Sequence, residues 1–191
     1  MGSKANTPHY SHQQYLELED QNETRSEYHD GEIFAMAGGT EGHSRIAGNL
    51  IREAGNAIFD RECSVFEGNL KIRIEAANST VYPDAMIVCD PIQYHQDRKD
   101  IITNPTIVFE VLSEGTAGYD RGGKFRKYQQ LPSLKEYVLI EQSEAQVDLF
   151  RKSDSGLWTL HSWAGLEGAV ECRSLAIRLP LNGIYHRVPF Q

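Results

Sequence analysis

Glu110 stands in the middle of Thr106-Ile-Val-Phe-Glu-Val-Leu-Ser113, an otherwise apolar, β-branched run that reads as a strand buried on both faces. Residues two apart share a strand face, so Glu110 points with Val108 and Leu112, while Ile107, Phe109 and Val111 point the other way. A carboxylate taken out of water is costly unless a cation or hydrogen-bond donors meet it. Asp84 heads a second apolar run, Ala85-Met-Ile-Val-Cys89. If the two runs are neighbouring strands, their carboxylates converge, and a hard cation such as Mg²⁺ takes oxygen ligands of that kind while keeping several waters. Lys124 lies on an expected helix beginning near Tyr119, where Asp120, Lys124 and Tyr128 share a face. Packed beside the Glu110 strand, that helix would deliver its ammonium to the two acids. A metal-free ion pair between Glu110 and Lys124 is the other arrangement these residues allow.

The elements that must position these groups can be traced along the chain. Residues 1 to about 10 read as disordered or extraneous to the fold. Ser11 to Glu23 suggests a short helix, and Arg25 to Met36 a hairpin turning at Asp30-Gly31. Thr40 is a candidate N-cap for a helix over 41–61, whose stripe is Ile46, Ala47, Leu50, Ile51, Ala54, Ala57 and Ile58. Strands are expected over 64–75, 80–89 and 106–113, with 90–105 a polar loop free to overhang a site. A helix over 119–131, a strand over 136–140, a hairpin of 145–151 with 157–163 and a last strand or two over 169–179 follow. The pattern is mixed α/β around one sheet. It is expected to form a single domain over 11–191, with a core of about 12–150 and a β tail over 151–191.

Composition narrows the classes. The 191 residues are 40% hydrophobic and 24% charged, as in an ordinary water-soluble domain. No apolar run approaches the roughly 20 residues of a membrane span, and the first residues hold no apolar signal segment, so a cytoplasmic protein without a membrane partner is expected. Cys63, Cys89 and Cys172, odd in number and widely spaced, read as reduced core thiols. The net charge of −8 argues against a surface that coats duplex DNA. Nucleic-acid contact would need a local patch, for which Arg121, Lys124, Arg126 and Lys127 are the candidates.

Taken together, Glu27-Tyr-His-Asp-Gly-Glu32, His43 opening a helix, Pro83-Asp84, Glu110-Val-Leu-Ser113, Asp120-Arg-Gly-Gly-Lys124 with Tyr128, and Glu136-Tyr137 resemble the Uma-type branch of the PD-(D/E)xK restriction-endonuclease-like superfamily. The resemblance spans roughly residues 12–150. It implies an α/β fold with a restriction-endonuclease-like mixed central sheet flanked by helices, here with a C-terminal β-hairpin extension. It implies a Mg²⁺-dependent nuclease, with Mn²⁺ as a substitute, that cuts phosphodiester bonds of nucleic acid, DNA foremost, as a homodimer. Asp84 and Glu110, with the Val111 carbonyl, become the metal-binding groups and Glu27 an additional acid. The lysine that the pattern places two residues after the strand acid is Leu112 here, and Lys124 takes its role from the following helix. A non-catalytic nucleic-acid- or protein-binding module that keeps the fold is the alternative.

Other residues remain open on sequence grounds. His43 either faces the acids or packs in the core. Asp120 either holds Lys124 across one turn or caps the helix, and Tyr128 either packs or takes part in chemistry. Arg121, Arg126 and Lys127 are either solvated or phosphate-facing. Gly118 to Lys124 satisfies G-x-x-x-x-G-K, but Phe125 offers no hydroxyl for Mg²⁺ and the motif starts several residues past its strand, against a P-loop. Trp158 and Trp163 either fill the tail hairpin or pair two subunits.

Overall fold

A computed structural model of the chain describes residues 8–36 and 38–190. Two mixed six-stranded sheets and a two-stranded ribbon make up its β structure, so the single sheet expected from the strand runs is corrected to two. The reason is local. The run 64–75 breaks at Gly68-Asn69-Leu70 into β3 (Cys63–Glu67) and β4 (Lys71–Ile74), and the run 80–89 breaks at Tyr82-Pro83-Asp84 into β5 (Ser79–Val81) and β6 (Ala85–Cys89). Each break sends one half to each sheet.

The first sheet has the order β2-β1-β5-β4-β8-β7. Its hairpin β1 (Ser26–His29) and β2 (Glu32–Ala35) turns through Asp30 and Gly31, both at positive φ, as the Asp-Gly pair predicts. The stretch expected as a polar overhanging loop instead forms β7 (Tyr94–His95) and β8 (Arg98–Ile102) at the sheet's other edge. Helix α1 (His12–Glu19) starts on a Ser11–Gln14 capping box and lays Tyr15 and Leu16 on this sheet beside Tyr28 and Ile101. Of the first ten residues, read from the sequence as disordered or extraneous to the fold, residues 1–7 lie outside the described residues. Tyr10 belongs to the fold, its N–H donating to the Gly31 carbonyl at 2.8 Å.

The second sheet, β12-β11-β10-β9-β6-β3, has β9 (Ile107–Leu112) near its middle. Parallel β10 (Glu136–Glu141) and antiparallel β6 flank β9, and the hairpin β11 (Gln146–Lys152) with β12 (Trp158–Ala164) completes one edge. Every residue of β9 is buried. Its two faces feed separate cores, as the alternation of the strand predicts. Ile107, Phe109 and Val111 pack with Ile46, Leu50 and Ala54 of α2 (Glu41–Ala57), the ribbon of β13 (Ala169–Cys172) and β14 (Ile177–Pro180), and a terminal turn α5 (Leu181–Ile184). Val108 and Leu112 pack with Ile72, Ile74 and Val81 of the first sheet. The same core takes Phe125 and Tyr128, which lie on α4 (Phe125–Tyr128). Glu110 enters this second core.

Cys63 and Cys89 are directly opposed on β3 and β6 and joined as a disulfide, which corrects the expectation of three free thiols. The spacing of 26 residues in sequence conceals an antiparallel register that sets the two side by side. Cys172 is free and buried, as expected. Trp158 meets Phe125 edge to face at 5.3 Å, and Trp163 is partly buried on the α2 core. Among the described residues no helix is long and apolar enough to cross a membrane.

Candidate active site

Four elements deliver carboxylates to one cleft. Glu110 comes from β9 and Asp84 from the turn into β6, where the β6–β9 ladder pairs Ala85 with Phe109 and so sets Asp84 beside Glu110. Asp84 is held by the Val111 N–H, which donates to Oδ2 at 2.7 Å, and by His43 Nε2, 3.2 Å from Oδ1. Glu27 comes from β1, its Oε1 accepting from the Tyr82 N–H at 3.1 Å. Asp120 comes from a helix in three parts: α3 (Ala117–Tyr119), a π-helical turn (Asp120–Lys124), then α4.

Lys124 closes the cluster. Its ammonium lies 2.9 Å from Glu110 Oε1, 3.1 Å from Glu27 Oε1 and 3.9 Å from Asp120 Oδ1, and it donates to the Tyr82 carbonyl at 3.0 Å. Glu110 Oε1 also accepts from the buried Tyr128 hydroxyl at 2.8 Å, so Asp120, Lys124 and Tyr128 do share one helix face. The sequence marks Glu27 only as an additional acid, yet it touches the lysine nearly as closely as Glu110 does. Asp84 forms no pair with Lys124 and is partnered by His43 instead. No cap role falls to Asp120, since the helix starts at Ala117.

Burial and crowding set the charges. Burial pushes the Glu110 carboxyl well above its ordinary range, with Asp120 and Asp84 adding to the rise and Lys124 opposing it. Asp120 is raised for the same first reason, with Glu27 and Asp84 adding. Burial works against the Lys124 ammonium, but Glu110, Glu27 and Asp120 outweigh it and hold the proton. The hydrogen bond to Asp84 raises His43. The cleft, about 440 Å³, is lined by these acids, Lys124, His43, Tyr82, Tyr119, Lys127 and the apolar Phe34, Ala35 and Met36.

Two tyrosines escaped the sequence reading. Tyr82 bridges Glu27 and Lys124 through its backbone, which no side-chain pattern reveals. The Tyr119 hydroxyl lies 3.4 Å from Glu27 Oε2 and accepts from Lys127 at 2.8 Å. Of the suggested phosphate-facing cations, Arg121 has both ends of its guanidinium held by Asp148 and Glu141. Lys127 is buried against Tyr119, and Arg126 is exposed. The G-x-x-x-x-G-K segment is helical and its lysine is committed to carboxylates, so it is no phosphate cradle.

Known proteins share this architecture. The structure superposes on the crystal structure of a "putative nuclease" from Anabaena variabilis with a TM-score of 0.74 at 18% identity, covering 91% of this chain and 96% of that one, a likeness of fold. A Synechocystis sp. protein, slr1290, is 35% identical over 96% of this chain and 95% of its own length. A second from that organism, sll1609, is 33% identical over 83% and 89%. The Uma2 family model, described as "putative restriction endonuclease", matches residues 12–182, and the chain belongs to the Uma2 family.

Proposed function

We propose that the chain is a Mg²⁺-dependent endonuclease that hydrolyses phosphodiester bonds of nucleic acid, with DNA the substrate its family's description points to. The observation that carries the reading is a surplus of acid. One ammonium meets Glu110, Glu27 and Asp120, with Asp84 adjacent, at a cleft that opens to solvent. A structural ion pair needs one acid for one lysine; the others are stabilised by a further cation.

The donor set fits Mg²⁺ or Mn²⁺. Asp84 and Glu110 would hold the ion, with Asp120 near, all through oxygen. Among the described residues no three His, Cys, Asp or Glu side chains are grouped to hold an ion alone. The proposed cation would be bound through one or two carboxylates, with water and phosphate oxygens completing its shell. When bound, such an ion polarises the phosphate and lowers the pKa of water. Lys124, fixed by Glu27, Glu110 and the Tyr82 carbonyl, places positive charge beside charge developing on the phosphate, worth about 3 kcal/mol. Glu27 and Tyr128 orient Lys124 and Glu110. His43 holds Asp84 at the cleft wall.

The test is cleavage of plasmid DNA, single-stranded DNA and RNA by the purified chain in Mg²⁺, Mn²⁺ and EDTA. Cleavage dependent on metal and abolished by Asp84→Ala and Glu110→Gln is expected. Equal cleavage by the variants would end the assignment, and binding without cleavage would favour the non-catalytic module.

A further inference from the structure

Phe34 lies directly opposite Glu27 on the β1–β2 ladder, and directly opposed residues project from the same sheet face. The Tyr119 hydroxyl also approaches Glu27 Oε2. Glu27 in turn touches Lys124. Two aromatic residues therefore line the cleft of the acid–lysine cluster. Both are left in water, Phe34 48% and Tyr119 39% exposed, with Met36 at 37% on the same wall. Exposed aromatic rings at the mouth of a charged site are a means by which proteins hold unpaired bases, because every base has a π-face to stack; Phe34 offers the open ring, while one side of Tyr119 already carries the Lys127 ammonium.

Charge and space point the same way. Affinity for nucleic acid of either form draws on phosphate–cation contacts, and this chain carries a net −8, so stacking, which only unpaired bases offer, must supply a larger share. On the helix beside the cleft, Arg121 is exposed but held by Asp148 and Glu141, Lys124 is held by the acids and Lys127 by Tyr119, leaving Arg126 exposed with no acid partner among the described residues. A cleft of about 440 Å³ suits one splayed nucleotide, being within the roughly 300–1,000 Å³ typical of small-molecule sites. Bases stacked in a double helix keep their faces covered and cannot use Phe34 or Tyr119.

We propose that the cleft takes a single-stranded polynucleotide, an unpaired base stacking on Phe34 and Tyr119 while its phosphate meets the cation that Asp84 and Glu110 would hold. This rests on the phosphodiesterase reading of the same site. A single strand needs one cleft, without a second copy.

The test is fluorescence anisotropy of the full chain at one fixed salt concentration, in Ca²⁺, a hard oxygen-seeking ion, in place of Mg²⁺. Labelled oligo-dT, oligo-U and a blunt DNA hairpin are the probes. Single strands are expected to bind at least about tenfold tighter than the hairpin, and Phe34→Ala to weaken single-strand binding about fivefold or more, with Phe34→Trp restoring it. The dT and U arms show which sugar is preferred. Equal or tighter hairpin binding, no binding to any probe, or no effect of Phe34→Ala would overturn the proposal. So would light scattering in which Phe34→Ala separates a dimer into monomers without changing binding, since the rings would then be a subunit contact. The two readings fail separately: tight single-strand binding with no cleavage in Mg²⁺ removes the nuclease and keeps the stacking site, whereas faster cutting of duplex removes the stacking site and keeps the nuclease.

Discussion

The Lys124 ammonium lies 2.9 Å from Glu110 Oε1, with both side chains almost wholly buried. Removing one partner of such a pair strands a charge in a dry core, at a cost of about 3–5 kcal/mol, whereas removing both restores much of the loss. Lys124→Met, which leaves Glu110, Glu27 and Asp120 without their cation, is therefore expected to lower unfolding stability by roughly 3 kcal/mol, and Lys124→Met with Glu110→Gln by less, since one of the three acids is then neutral and still accepts from Tyr128. Urea unfolding of the variants checks this, and neither should cleave nucleic acid.

Glu110→Gln separates stability from chemistry. The amide oxygen still accepts from Tyr128 and Lys124 while one carboxylate leaves the crowd. Stability within about 1 kcal/mol of the parent is expected, together with loss of metal-dependent cleavage by a factor of about 10² or more. Melting curves beside turnover measurements read both.

Gly123 lets the Tyr119 ring lie close, since a Cβ there would stand 3.0 Å from Cδ2 and 3.2 Å from Cε2. Gly123→Ala is expected to turn that ring away from Glu27 and Lys127. The gain of about 0.5–1 kcal/mol from replacing a helical glycine offsets the contact, so the melting temperature should barely move. Single-strand binding should fall several-fold in the anisotropy assay.

The Cys63–Cys89 bond closes a loop over a sequence separation of 26. On the chain-entropy account a loop of that size contributes about 3–4 kcal/mol. Under denaturing, non-reducing conditions alkylation should label Cys172 alone, and all three cysteines after reduction. A reducing agent should lower the melting temperature of the chain but not of Cys63→Ala.

His12 predicts an acid limb in stability. Burial first, then Arg73 and His95, hold its imidazole down to about 4 against an ordinary 6.5. The unfolded chain therefore takes up the proton first as pH falls, and stability is lost between pH 6.5 and about 4, levelling below that. Because the ring is partly solvent-exposed, the loss should be about 1–2 kcal/mol. Unfolding of His12→Gln across that range should be flatter.

The amino-acid sequence by itself determined the local facts. The alternation of 107–112 assigned each side chain of β9 to its core and singled out Glu110 as an acid in an apolar environment. The i,i+4 spacing put Asp120, Lys124 and Tyr128 on one helix face, and Asp-Gly and Thr40 marked a turn and a helix start. These follow from backbone period and capping, which reach only a few residues. Only the tertiary structure decided which strands pair, and so that two sheets form, that Cys63 meets Cys89 and that 90–105 is an edge hairpin. It also decided that Glu27 rather than Asp84 shares Lys124 with Glu110, and that Tyr82 binds through its backbone. Each of these joins residues far apart in the chain, and contacts of that kind depend on register and packing, which no local pattern encodes.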